Sequence, residues 1–324
     1  GSNRPRKISR ASATDFRRMK RHIYLRLKSV AEAREIFLGR FDPRSFLPSE
    51  EIATAAARGR VTAAPVWARR SSPASHQAAM DGFAVAAAAT FGASPDKPRR
   101  LRLGVEAFPV NTGQIMPPGT DAVIMVEQVP DPEADPITVE APIFPWHNVR
   151  RVGEDLVAGE MILPEGVRIT PWAQGALLAA GVTRVAVRRR PRVAIIPTGS
   201  ELIPAAKLDQ DLPPGRLPEF NSVILSGLVA EAGGLPEVAP ICPDDTESLL
   251  AALKEALDRS DMVLINAGSS AGSEDYTYQA VAALGEVLVH GVAMMPGKPT
   301  LLGVAAGKPV ESGTSGISNI PWRG

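Results

Sequence analysis

The stretch Asp261–Asp275, DMVLINAGSSAGSED, concentrates the residue types that could do chemistry. Met262–Ile265 is a short apolar run, the pattern of a strand buried in a parallel sheet. It empties into small residues: Ala267, Gly268, Ser269, Ser270, Ala271 and Gly272. Small residues let backbone N–H groups approach a phosphate closely. Open α/β sheets bind ligands where strands empty into such loops. Glu274 and Asp275 close the stretch, and a carboxylate there can hold a hard divalent cation beside a phosphate. The same spacing suits a plain strand-to-helix turn capped by Asp275. These residues alone leave both readings open.

Two further acidic loops belong with it. Val193–Ile196 is apolar and runs into Pro197-Thr198-Gly199-Ser200-Glu201. Pro236–Cys242 reads as a strand and runs into Asp244-Asp245. A parallel sheet would bring Glu201, one of Asp244 and Asp245, and Asp275 to one edge. Thr198, Gly199 and the tract Pro296-Gly297-Lys298-Pro299 lie near in the same scheme. Carboxylates, backbone amides and the Lys298 ammonium together suit a phosphate–magnesium site. His76 has no Cys or His at metal-ligand spacing and reads as a loop histidine.

The elements that must position these loops follow from pattern. From Pro191 onward strands and helices alternate, which predicts a parallel, doubly wound sheet. Asn221 can cap a helix facing inward with Ile224, Leu225, Leu228, Val229 and Ala232, stopped at Gly233-Gly234. Asp244 and Glu247 have capping-box spacing before a helix that buries Leu249, Leu250, Leu253 and Leu257. A helix after Thr277 and a strand Val287–His290 continue the alternation. Upstream, Val30 to Ala57 carries a helical spacing, with Ser49 a cap after the Pro48 break. Short β-like runs at Leu101–Val105, Ala122–Val126 and Ile137–Val139 alternate with Pro/Gly turns, which predicts a small β domain. A short helix is expected around Trp172–Ala180, ended by Gly181.

Bulk properties set bounds. A chain of 324 residues is long for one core, so two or three domains are expected. The net charge of +1 gives no global pull toward nucleic acid or an anionic membrane. One cysteine, Cys242, excludes an internal disulfide framework and a cysteine-rich zinc site. No apolar run is long enough to span a bilayer, and no apolar signal core stands at the N-terminus, so a cytoplasmic protein is expected. Residues 1–28 carry ten Lys or Arg against one acid, Asp15. Such a tail is usually solvated or disordered, and RRMKRH could also touch RNA or an acidic surface.

Eight separated motifs, in order, resemble the molybdenum insertases, the molybdopterin molybdotransferases. They are AAMDGFAV at 78–85, NTGQIMPPGTDAVIMVE at 111–127, RRVGEDLVAGE at 150–160, PRVAIIPTGSEL at 191–202, EFNSVIL at 219–225, CPDD at 242–245, NAGSSAGSEDYT at 266–277 and MPGKP at 295–299. The wording is similar to bacterial members that carry an extra periplasmic-binding-protein-like domain. The resemblance implies a split N-terminal α+β domain (26–62 and 146–190), a small inserted β domain (63–145) and an α/β molybdopterin-binding domain (191–311). A basic tail (1–25) and an atypical tail (312–324) flank these. It implies insertion of molybdate into adenylylated molybdopterin with release of AMP, dependent on Mg2+. It implies a homodimer, and the molybdopterin adenylyltransferase as a partner.

Carried over position by position, the resemblance assigns catalytic roles to Asp81, Asp155, Glu201 and Asp275. It assigns cofactor binding to Thr112, Thr198, Gly199, Gly268, Ser269, Ser270, Gly272 and Lys298, and metal binding to Asp244, Asp245 and Asp275. Asp81 and Asp155 also suit ordinary turn and loop roles. Three departures stand out. Met295 replaces a lysine, Ala267-Gly268 replaces Gly-Gly, and the family wording stops after Gly307-Lys308-Pro309-Val310, so the serine that the family supplies to molybdate from that region is missing. A non-catalytic molybdopterin-binding module is the alternative those departures favour.

Overall fold

The computed structural model describes residues 27–204, 207, 213–267, 276–295 and 297–313. Contacts divide the chain into two units. Pro48–Arg188 forms one, and the described residues on either side of it form the other.

The flanking unit is built on a six-stranded sheet. Its strands are β1 (Arg192–Pro197), β2 (Leu235–Val238), β3 (Met262–Asn266), β4 (Gly285–His290), β5 (Leu301–Ala305) and β6 (Lys308–Gly313). The spatial order is β2-β1-β3-β6-β5-β4. β2, β1, β3 and β6 run parallel, with Ile195 beside both Val238 and Leu264, and Leu264 beside Glu311. The alternation predicts a parallel sheet, but β5 runs against both its neighbours. The reason is local. Ala306 and Gly307 both take positive φ, 48° and 75°. That is the geometry of a two-residue hairpin turn, whose twist matches the flanking strands.

Helices cover both faces: α1 (Val30–Leu38), α2 (Asn221–Glu231), α3 (Thr246–Arg259) and α4 (Tyr276–Leu284). α3 repeats apolar residues at helical spacing, and Leu249, Leu253 and Leu257 are buried against Ala194, Ile196, Val263 and Ile265 together with Ala280 and Val281 of α4. On the other face Leu225 of α2 meets Val193, Ile195 and Leu264. Side chains such as Leu253, Ile195, Ile196 and Ile265 are fully buried, each worth about 1.5–3 kcal/mol of hydrophobic stabilisation.

Several elements differ from their sequence patterns. α2 is apolar all round; Leu225 is buried, but Ile224 and Leu228 face solvent. Its N-cap is Phe220, and Asn221 is already helical. α1 starts at Ser29 in a capping box with Glu32, and packs Ala33 and Phe37 on Val289 and Leu302. Thus 27–47 lies in the α/β unit and not with 48–62 and 146–188. Ser49–Ala53 carries a helical spacing but forms a strand antiparallel to Arg184–Arg188. Ile52 there packs against a core of Ala57, Ile169, Leu177, Val182, Val185 and Val187.

Within Pro48–Arg188 the short helix expected around Trp172–Ala180 is present as Pro171–Ala179, and it begins at a Thr170 cap with proline in its first turn. A three-stranded antiparallel sheet places Gly82–Val85 between Ala107–Val110 and Ala122–Met125. Of the expected β runs, Ile137–Val139 forms as read, Ala122–Met125 ends one residue early, and Leu101–Val105 meets the strand Arg99–Leu101 only at Leu101. Gly82 is required by crowding: a Cβ there would stand 1.9 Å from the Ile124 carbonyl oxygen.

Candidate functional site

A cavity of about 360 Å³ opens at the carboxyl edge of the α/β sheet. Thr198, Gly199 and Glu201 line it from the loop after β1, and Pro243, Asp244 and Asp245 from the approach to α3. Ala267 after β3 and Tyr276-Thr277 at the start of α4 complete it, with Leu249 as an apolar wall. Two helix N-termini therefore face one cavity, and their dipoles favour an anion.

Backbone pairing holds the first loop. Thr198 donates its N–H to the Asn266 carbonyl at 3.0 Å and its hydroxyl to the same oxygen at 3.2 Å. Gly199 donates to the Cys242 carbonyl at 3.1 Å. Gly199 sits at φ 149°, and a Cβ there would stand 2.8 Å from Leu202 Cγ and 3.0 Å from both Glu201 carboxylate oxygens. Only glycine lets the Glu201 carboxylate fold back over the loop. That carboxylate has no hydrogen bond among the described residues.

The adjacent acids Asp244 and Asp245 have different jobs. Asp245, and not Asp244 as its capping-box spacing with Glu247 predicts, is the N-cap of α3 and accepts the Ser248 N–H at 2.7 Å. That bond, then the Ser248 hydroxyl, holds its carboxyl below the usual range. Asp244 is exposed on the cavity wall. Its Oδ2 accepts the Ser200 N–H at 3.0 Å, and its own N–H donates to Ser200 Oγ at 3.3 Å. Arg216 donates to the Ser200 carbonyl. Ser200 stands inside the motif at 191–202 without a role assigned to it, and Arg216 carried no motif signal in the sequence. The Cys242 thiol, buried and free, is pushed up by burial and then by Asp245 and Asp244.

Among the described residues no three His, Cys, Asp or Glu side chains converge closely enough to hold a metal ion. Asp275, Gly268, Ser269, Ser270 and Gly272 lie outside the described residues. Glu201 and Asp244 are the two carboxylates the structure brings to the cavity beyond the capping Asp245. Two carboxylates suit magnesium, which usually takes one or two from protein and the rest from water and phosphate. Lys298 and Met295 stand exposed in the connection between β4 and β5, Met295 at 88%. Lys298 is tied through its carbonyl to the Val292 N–H at 3.0 Å.

The remaining candidates lie in Pro48–Arg188. Asp81 accepts the Thr112 N–H at 2.6 Å and the Thr112 hydroxyl at 3.0 Å, which brings two predicted residues together. The backbone bond first, then the hydroxyl, lowers the Asp81 pKa. Asp155 accepts from Arg150 Nη2 at 2.6 and 2.7 Å and from the Ser72 hydroxyl at 3.5 Å. His76 Nδ1 accepts the Val152 N–H at 3.1 Å and its ring packs on Trp146, a loop role as expected.

Residues 28–181 match the model for the MoeA N-terminal region (domain I and II). Residues 194–321 match that for a probable molybdopterin binding domain, so the likeness extends past Val310. A molybdopterin biosynthesis protein of Methanocaldococcus jannaschii is 35% identical over 273 residues, covering 81% of this chain and 68% of that protein. Molybdopterin molybdenumtransferase 2 of Mycobacterium tuberculosis is 32% identical over 278 residues, covering 78% of this chain and 67% of that protein. The chain thus spans about two thirds of these relatives. The crystal structure of a molybdopterin biosynthesis moeA protein from Pyrococcus horikoshii OT3 superposes with a TM-score of 0.73 at 30% identity, covering 89% of this chain and 74% of that one. The chain belongs to the MoeA family, the molybdopterin molybdotransferases of molybdenum cofactor biosynthesis.

Proposed function

We propose that this chain inserts molybdate into adenylylated molybdopterin with release of AMP, in a magnesium-dependent reaction. The observation that carries the proposal is the pairing of Glu201 and Asp244 on one cavity that also receives the N-termini of α3 and α4. Magnesium bound there would neutralise phosphate charge and polarise the phosphorus toward attack. Glu201 and Asp244 would hold it, with Asp275 as a further ligand. Thr198, Gly199 and the small-residue loop at 268–272 would seat the phosphates on backbone amides. Lys298, exposed on its connection, would meet the anionic substrate. Asp81 with Thr112, and Asp155 with Arg150, would act from the other unit. A homodimer would bring such groups to a shared site, since two-fold pairs are the commonest assemblies. The substrate's supplier is then the molybdopterin adenylyltransferase, and a cytoplasmic setting fits. No described helix is long and apolar enough to cross a membrane.

A second reading, a molybdopterin-binding module without turnover, is favoured by Met295. It stands exposed where the resemblance places a lysine for anion contact. AMP release from adenylylated molybdopterin, with and without magnesium, separates the two. Glu201→Gln, Asp244→Asn and Asp275→Asn should each lower magnesium-dependent release by about 100-fold, roughly 2.7 kcal/mol of transition-state stabilisation. Binding of the adenylate with no release by the wild-type chain selects the second reading. Release unchanged in all three variants overturns the site.

A further inference from the structure

We infer that Ser200 is a positioning residue for the Asp244 carboxylate. This rests on the reading of the cavity as a cation-assisted phosphate site. The two loops that bear Glu201 and Asp244 follow different strands, and nothing in the sheet ladder sets the direction of either side chain. Ser200 ties them by a reciprocal pair of bonds. Its N–H donates to Asp244 Oδ2 at 3.0 Å, and its Oγ accepts the Asp244 N–H at 3.3 Å. The pair closes a ring that contains both the Asp244 backbone and its side chain. Rotation of the carboxylate away from the loop would break the first bond, and displacement of the Asp244 backbone would break the second. With Oδ2 committed, Oδ1 has no hydrogen bond among the described residues, on a side chain that lines the cavity. One carboxylate oxygen is thus anchored and one is left for a ligand.

Two other contacts hold Ser200 itself. Gly199 donates to the Cys242 carbonyl at 3.1 Å, so the chain on either side of Pro243 is bridged twice. Arg216 donates to the Ser200 carbonyl from beyond the short strand pair Leu202–Pro204 and Leu217–Glu219. The arrangement matches a general feature of metal sites, in which a ligating carboxylate is fixed by an outer hydrogen bond. Asp245 has a different anchor, its Oδ1 accepting the Ser248 N–H as the cap of α3.

The test uses the whole chain and manganese as a paramagnetic stand-in for magnesium, with free and bound ion counted by electron paramagnetic resonance in the presence of inorganic pyrophosphate. Ser200 is exposed, so Ser200→Ala leaves the core intact. Loss of the Oγ anchor should weaken manganese binding about five- to tenfold, with the thermal midpoint unchanged. Ser200→Thr keeps a hydroxyl and should restore binding to within about twofold of wild type. A loop-packing role alone would not track the hydroxyl in this way. Wild-type affinity in Ser200→Ala, alongside weak binding in Asp244→Asn, overturns the inference and leaves the cavity reading standing. Wild-type affinity in Asp244→Asn overturns the cavity reading, and the role of Ser200 falls with it.

Discussion

The Asp81 carboxylate accepts two hydrogen bonds from one residue, the backbone N–H of Thr112 at 2.6 Å and its hydroxyl at 3.0 Å. Both bonds favour the ionised acid, so its pKa lies below the ordinary value, with the backbone bond the larger cause. The sign follows from linkage. A depressed folded pKa contributes stability above the unfolded value, and that contribution is lost as pH falls through the folded one. Thr112→Val removes the hydroxyl and keeps the N–H. The Asp81 pKa should therefore rise part of the way, remaining below that of an unpartnered aspartate, in a carbon-detected NMR titration. An unchanged titration would show that the hydroxyl does not act on Asp81.

Asp244 and Asp245 should separate cleanly by substitution. Asp245→Ala removes the α3 N-cap and should lower the thermal or denaturant midpoint. Asp244→Ala removes no cap and should leave the midpoint near wild type. If the two variants lose equal stability, the capping assignment is wrong.

Glu311 should make the α/β unit sensitive to pH. It lies in β6 with Leu264 and Leu302 as its cross-strand neighbours, fully buried, and both carboxylate oxygens lack a hydrogen-bond partner among the described residues. Burial alone pushes its pKa up to about 7 from 4.5. The unfolded chain therefore releases this proton at lower pH than the folded one. Its stability is fully present below about pH 4.5 and is lost as pH rises through about 7. The loss is on the order of 3 kcal/mol. Glu311→Gln should flatten that part of the stability–pH curve, and Glu311→Leu should flatten it and raise the plateau. A wild-type curve identical in shape to that of Glu311→Gln would refute the burial argument.

Much of the α/β unit was legible because its signals are local. The spacing of Leu249, Leu253 and Leu257 places α3 and its buried face without reference to anything else. The apolar runs before Thr198 and Ala267 name strands β1 and β3, and their small or acidic followers name the loops that line the cavity. Asp81 and Thr112 entered through motif resemblance, and the structure joins them across 31 positions.

Other features depended on partners far along the chain. Ile52, Ala55 and Ala56 have helical spacing, yet Ser49–Ala53 pairs as a strand because Arg184–Arg188 offers it a ladder and Val185 and Val187 a core. α1 has an apolar face that any core could have taken, and it is Val289 and Leu302 that bury it. β5 and β6 follow a stretch with weak periodicity, and the turn at Ala306-Gly307 reverses the chain within a sheet otherwise read as parallel. Asp244 and Asp245 are chemically identical neighbours. The capping-box spacing with Glu247 points to Asp244 as the cap, but the direction of the first turn of α3, and the Ser200 bonds beside it, make Asp245 the cap and Asp244 the cavity acid.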